Sequence, residues 1–520
     1  MRNMLLMTAV LAIAAAPPAR AQSQGPGAQA SAQAQDAQKT VEAVQSALGM
    51  IRGVQRIDAI NNVVLQGTGT MGAVGQAWRP DMPWPVFKLT NYKASIKHSE
   101  WGLRAEIERT NPDGVVQGGG GLPLAAPQKL VQVVAGKFAW NETQPGINAT
   151  PAQGTYNDRL LQFWTLTPLA VTKAARLGGA DTTLSIEGGA RILTFPAPGL
   201  PGVTLKATLN AKDLIDRVEA RVDNPVLGDT LFETTYSDYG EMDPERRSDV
   251  PVPHHIIQKL GGYPVLDLTI SGGRMGYAYI VFPIPETVEK AAAQPPAPPR
   301  VDAQKVADGV WYLTGGTHHS VAVAFKDYVT VVEGPLNEDR AVAVIDAVKK
   351  LVPNKRIRYV VNTHHHFDHS GGLRPFVAEG TTVLTQALNK PYYEKVWANA
   401  HTLNPDRFAQ ARRKPAIEAV TDKRVLSDGT RSVELYRLLG SNHADTMLVA
   451  YLPTERILIE ADVYTPPAAN APPPTTVNAE VANLLANIQR LKLDVAQVLP
   501  IHGRQVTMND LLAAGGRGTN

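Results

Sequence analysis

Cysteine is absent from all 520 residues. Its absence excludes disulfides, thiolate metal ligands, a cysteine nucleophile and a lipid-anchored cysteine at a processed N-terminus. Any metal site in this chain must therefore be built from histidine and carboxylates. Net charge is nearly missing as well. Against 48 acidic side chains stand 51 basic ones, and the resulting +3 is too weak a field to imply nucleic acid or an anionic membrane as the partner. The apolar stretch from Met4 to Ala16 falls short of the roughly twenty residues a membrane-spanning helix needs. No twin-arginine pair precedes it, so export is expected in the unfolded state, with metal acquired outside the cytoplasm.

The N-terminus has the parts of a cleavable leader. Arg2 provides a small positive region, Met4 to Ala16 the apolar core, and Ala19-Arg20-Ala21 the small-x-small cleavage pattern. Residues 1–21 are thus expected to be a signal peptide, leaving a periplasmic or secreted protein with no stable membrane span after processing. A hydrophobic share of 44% with 19% charged residues is globular, and the length exceeds what one core supports, so two domains are expected.

Residues 22–38 are rich in Ala, Gln, Ser, Gly and Pro and read as a disordered spacer. Order is expected from residue 39. Thr40 is placed to cap a helix whose Val41, Val44, Ala47, Leu48 and Ile51 recur at helical spacing. From about Arg56 to Phe282 the pattern changes to alternation broken by turn residues, as in Tyr92-Lys93-Ala94-Ser95-Ile96-Lys97. This predicts a mostly antiparallel β domain over 39–282. A helix followed by many strands, closing with the stretch Thr234 to Ile270, resembles the half-barrel of periplasmic lipoprotein carriers. That resemblance implies an apolar or acyl ligand as a partner of the N-terminal domain. His254 and His255, beside Pro253, read as turn residues.

Residues 283–300 contain Gln294-Pro295-Pro296-Ala297-Pro298-Pro299, which favours extended polyproline geometry and reads as the linker between domains. Over 301–520, short β-rich runs alternate with helical ones. Strands are expected at Val310 to Thr314, Ser320 to Phe325, Tyr328 to Glu333 and Ile357 to Asn362, with a helix from Glu338 to Leu351. A late helix carries Val481, Leu484, Leu485, Ile488 and Leu491 on one face, before a strand from Ala496 to Pro500. The expected fold class is α+β and multidomain.

The chemistry concentrates where the strand Arg358-Tyr359-Val360-Val361-Asn362 runs into Thr363-His364-His365-His366-Phe367-Asp368-His369-Ser370-Gly371-Gly372. Imidazoles two residues apart at a strand end point the same way, so His364 and His366 can share one metal, and His365 points away. Asp368 and His369, on the following turn, can face a second metal about 3.5–4 Å from the first. The two glycines let backbone pass close.

On these residues the C-terminal domain resembles the metallo-β-lactamase superfamily, over Val301 to about Met508 and in the family's order of motifs. The resemblance implies an αββα sandwich. It also implies that Gly440-Ser441-Asn442-His443-Ala444-Asp445 supplies His443 as third ligand of the first metal, that Asp462 bridges both metals, and that His502 of Leu499-Pro500-Ile501-His502-Gly503 completes the second site. The expected cofactors are two divalent ions, with zinc favoured by the His-rich donor set. The expected activity is hydrolysis of an ester-like or amide-like bond in a small molecule, such as a lactone or thioester, by a metal-bridging hydroxide.

The family's β-lactam hydrolases generally lack an aspartate at the bridging position, so β-lactam turnover is a second reading. A third gives the leading role to an apolar ligand of the N-terminal domain, with the metal domain regulatory. Asp368 and Tyr464 are the catalytic candidates, Tyr464 as a hydrogen-bond donor to a carbonyl or leaving group. Glu333 stands before Gly334 where most members carry aspartate, and reads as a longer outer-shell substitute. Asp445 is a candidate to orient an imidazole. His318 and His319 lie on a hairpin loop that could overhang the site.

Overall fold

The computed structural model describes residues 26–52, 57–242, 250–276, 279–469 and 477–516, with no side-chain account for 26–34, 52 and 57. The expected signal peptide lies outside the described residues.

A helix spans Pro26–Ala47, where the sequence suggested a spacer as far as residue 38. The Ala- and Gln-rich composition behind that expectation is equally good helix-forming material, and Pro26 sits at the first turn, where a missing N–H costs nothing. The helix is tied down rather than free, because Ala37, Val41, Val44 and Leu48 are all buried in the domain core. Thr40 is not its cap but lies inside it, with its hydroxyl donating to the Asp36 carbonyl at 2.8 Å.

The alternating region forms one antiparallel sheet of thirteen strands among the described residues, running in space from Thr150–Pro151 at one edge to Thr183–Glu187 at the other. Its order is sequential except at one seam, where the early strand Asn62–Gly72 pairs with the late strand Tyr263–Met275. Helices Tyr156–Thr165 and Pro168–Gly178 join the first helix in covering one face, placing Leu160, Phe163, Trp164 and Val171 against Leu65, Tyr92, Ile96 and Ile256. His254 and His255 lie within the strand Pro251–Leu260 rather than in a turn, and His255 Nε2 meets Asp267 Oδ1 at 2.8 Å across the next strand. The stretch read as a linker holds a short helix, Glu286–Ala292, whose buried Val288 packs with Trp140, Ile280 and Phe282.

The C-terminal half is a four-layer stack. Among the described residues, a seven-stranded sheet and a six-stranded sheet face each other across a core of Val323, Val332, Val361, Leu435, Ile459 and Leu499. Helices Glu338–Leu351 and Leu373–Ala378 cover the outer face of the first sheet. Helices Ala479–Leu491 and Met508–Ala514 cover that of the second. The strand Tyr328–Val332 is buried at every position, as expected for a strand covered on both faces. Asn337 caps the helix Glu338–Leu351 by accepting from the Arg340 amide.

The two halves meet along a polar seam. Asp229 accepts from the Thr402 and Leu403 amides, and its own amide donates to the Ala400 carbonyl. Beside this seam lies a cavity of about 1090 Å³ lined from both domains, with Trp84 stacked on Tyr263 at 4.4 Å on one wall and Tyr392 and Val396 on the other.

Candidate metal centre

Four chain segments converge at one end of the sandwich, each leaving the carboxyl end of a strand. Glu333 follows Tyr328–Val332, His364 and His366 follow Arg356–Val361, Asp462 follows Ile457–Glu460, and His502 follows Gln497–Pro500. Buried Asn362 fixes the first histidine loop. Its amide donates to the carbonyls of His364 and His369, while its oxygen accepts from Thr385 Oγ1 and Tyr393. A Cβ on Gly371 would lie 2.0 Å from the Leu336 carbonyl oxygen, which is why that turn needs glycine.

Two donor groups result. In the first, His364, His366, His443 and Asp462 bring their ligand atoms within 4.8 Å of one another; in the second, His318, Asp368, His369 and His502 do the same. Asp462 stands between them. Its Oδ2 lies 2.8 Å from His443 Nε2 and 3.6 Å from His364 Nε2, and its Oδ1 lies 2.8 Å from His502 Nε2 and 3.2 Å from His369 Nε2. Asp462 holds this position with φ of 63°, a left-handed conformation that costs a non-glycine residue free energy and is retained only where surrounding structure enforces it.

The proton inventory shows that a cation fits. The Ala77 carbonyl can only accept, and it lies 2.8 Å from His366 Nε2, so that nitrogen carries the hydrogen and Nδ1 keeps its lone pair. Thr363 gives its hydroxyl hydrogen to Glu333 Oε2 and so accepts from His364 Nδ1 at 3.0 Å, leaving His364 Nε2 bare. These two lone-pair nitrogens face each other at 3.0 Å. In the second group, His369 Nδ1 donates to Glu333 and His502 Nδ1 to the Thr317 carbonyl, which turns both Nε2 atoms into the site, 3.2 Å apart. The two lone pairs of His364 and His366 repel at their 3.0 Å separation unless a positive charge lies between them.

Burial pushes the imidazoles of His364 and His366 well below their ordinary pKa, and neighbouring histidines add to the effect. Both are therefore neutral ligands. Burial opposes charge on His369 too, but Asp462 and Asp368 outweigh it and raise its pKa, a negative field that a metal cation would answer. Burial likewise opposes the charge on Asp462, but His369 and His443 hold its carboxyl far below the usual range.

The structure brings together all seven residues expected as ligands: His364, His366, Asp368, His369, His443, Asp462 and His502. It adds His318, whose Nε2 lies 3.2 Å from Asp368 Oδ2. Its place on the hairpin loop was the only signal. His319 instead meets the Tyr312 hydroxyl through Nδ1 at 2.6 Å and donates from Nε2 to the Gly316 carbonyl at 3.2 Å. His365 turns away from both donor groups onto Thr446, and lines the interdomain cavity.

Tyr464 departs from expectation. It is 5% exposed, packed among Val463, Val481 and Leu485, and the charges acting on its hydroxyl are Asp510, Arg504 and Glu460. The side chain belongs to the core under the helix Ala479–Leu491. Asp445 also departs, pairing with Arg437 at 2.8 Å instead of an imidazole.

The N-terminal domain reaches this centre through contacts that no local motif announces. Gln76 Nε2 donates to Asp368 Oδ1 at 2.8 Å, and Trp78 Nε1 donates to the Ser441 carbonyl at 2.9 Å in the loop carrying His443. The one available clue was the run Gly118-Gly119-Gly120-Gly121, which marks close backbone approach.

Residues 313–513 match the family model of the metallo-beta-lactamase superfamily. With its two-sheet, four-layer stack and its histidine and aspartate groups, the C-terminal domain is a domain of that superfamily. Among curated proteins the chain is similar to the 2,4-dinitroanisole O-demethylase subunit alpha of Nocardioides sp. (strain JS1661), 25% identical over 181 residues, which are 34% of this chain and 50% of that one. The chain thus spans about half the length of this curated relative. Among solved structures, a metallo-beta-lactamase from Pontibacter korlensis is 18% identical, covering 42% of this chain and 98% of its own, with a TM-score of 0.33. The DIM-1 metallo-beta-lactamase is 16% identical, covering 42% and 96%, with a TM-score of 0.31.

Proposed function

We propose that this chain is an exported hydrolase that holds two divalent metal ions, zinc by preference, and cleaves an ester-like or amide-like bond in a small molecule. The observation that carries the reading is the pair of unprotonated nitrogens of His364 and His366 facing each other at 3.0 Å, with the Nε2 atoms of His369 and His502 converging on the other side of Asp462. Bound metal ions supply a nucleophile at neutral pH by lowering the pKa of water, and polarise a carbonyl oxygen.

The chain's own residues set the rest. His364, His366 and His369 are fully buried and form the floor. The side chains of Asp368, His502 and His443 are 32%, 20% and 12% exposed and form the rim. Water and substrate therefore approach from the Asp368 and His502 side. Glu333 and Thr363 hold the floor imidazoles with their lone pairs facing inward, so little reorganisation is needed when charge develops.

Elemental analysis of the purified chain, paired with His366→Ala, tests the proposal. The substrate panel is a lactone, a thioester, a phosphodiester, a β-lactam and 2,4-dinitroanisole, the compound in the curated relative's name. Near two metals per chain, with turnover lost in the variant, is expected. Absence of metal after reconstitution, or turnover indifferent to His366, overturns it.

A further inference from the structure

Ligands of both metals lean on the N-terminal domain. Gln76 holds Asp368 Oδ1 at 2.8 Å, while Asp368 Oδ2 faces His318 and His369. The Ala77 carbonyl holds His366 Nε2 at 2.8 Å, which turns Nδ1 toward His364. Gly119 fits beneath both. Its amide donates to the Gln76 carbonyl at 3.0 Å, and a Cβ there would lie 2.2 Å from Gln76 Oε1 and 2.8 Å from His366 Nδ1. Two further bonds clamp the same strip onto the His443 loop: the Gly118 amide donates to the Asn442 carbonyl, and the Asp445 amide to the Trp78 carbonyl.

From this geometry we infer that the segment 76–78 with Gly118 and Gly119 is the outer shell of the metal centre, and that Gln76 is a positioning residue for the second metal. The inference rests on the metal-binding reading above and deepens it. The N-terminal domain is then not a separable carrier, because it supplies the orientation of one ligand in each site. A carboxylate whose Oδ1 is fixed by an amide donor presents Oδ2 in one direction. An imidazole whose Nε2–H is fixed by a carbonyl is held in the tautomer that ligates through Nδ1. Outer partners of this kind typically control metal affinity by about 10- to 100-fold.

The test measures cobalt(II) binding and its absorption spectrum in the full chain, with KM and kcat on the best panel substrate. Gln76→Met keeps the side-chain length and removes the donor. It is expected to weaken the second metal by about 10- to 100-fold, leave the first in place, and lower kcat more than it raises KM. Gly119→Ala is expected to weaken both metals, because the added methyl meets Gln76 and the ligating edge of His366. Thr402→Val, on the interdomain seam but away from the ligands, is expected to retain both. If wild type binds two metals and both Gln76→Met and Gly119→Ala bind them with unchanged affinity and spectrum, the inference falls and the hydrolase reading stands. If wild type binds none, both fall. Should Gln76→Met fail to fold, Gly119→Ala decides the question alone.

Discussion

Nδ1 of His369 donates to Oε2 of Glu333 at 3.1 Å, and the same oxygen accepts from the hydroxyl of Thr363, which in turn receives His364 Nδ1. One fully buried carboxylate therefore orients a ligand of each metal group. It does so with φ of 79°, a strained conformation for any residue but glycine.

Glu333→Gln retains the shape but replaces one carboxylate oxygen with an NH₂ and removes the negative charge that both imidazoles lean on. The expected outcome is metal affinity lower by about 10- to 100-fold, read by competition with a chromophoric chelator, with the fold intact by circular dichroism. Affinity equal to wild type would show that the carboxylate is only a packing element.

His318 adds a fourth donor to the second group. His318→Ala is expected to lower occupancy of that site in a stepwise cobalt titration while the first site fills normally. Loss of both metals together would mean that the hairpin loop acts as one structural unit instead.

Tyr464→Phe is expected to change kcat by less than about twofold, since the ring is 5% exposed and packed among Val463, Val481 and Leu485. A loss of a hundredfold or more would restore the tyrosine to the reaction.

Buried His98 supplies a pH test remote from the metals. Burial, aided by Lys173, lowers its pKa from 6.5 to about 3, although the Asn61 carbonyl accepts from its Nδ1 at 2.8 Å. The unfolded chain takes up this proton below about pH 6.5, while the folded chain resists until about pH 3, so stability falls as pH drops through that window. At pH 5 the single group costs about 2 kcal/mol relative to pH 7.5. Urea unfolding at the two pH values should show a smaller difference in His98→Gln; an unchanged difference would assign the pH dependence elsewhere.

Legibility followed sequence distance. The loop from His364 to His369 announces itself because its ligands are neighbours on a strand end, and the helix Glu338–Leu351 because Asn337 and its apolar period are local. His443, Asp462 and His502 were readable only through their order along the chain. Gln76 and Ala77 touch residues 292 and 289 positions away, and no local pattern encodes such contacts. Tyr464 failed for a related reason, because proximity of two residues to Asp462 says nothing of which way a ring turns at a strand end. The helix at Pro26–Ala47 failed because a composition poor in large apolar groups is shared by spacers and by helices with a narrow buried stripe.

The seam between Asn62–Gly72 and Tyr263–Met275 has a consequence in time. A strand made early during synthesis pairs at once with Val86–Lys97 on one edge but waits for Tyr263–Met275 on the other, and the strip at 76–78 that leans on Asp368 and His366 follows directly from that strand. The sheet of the first half cannot close its seam until Met275 exists, and the centre it serves is not complete until His502 has been made. Assembly therefore finishes at the donor groups, and a chain that stops short at any point before His502 has no finished centre to offer.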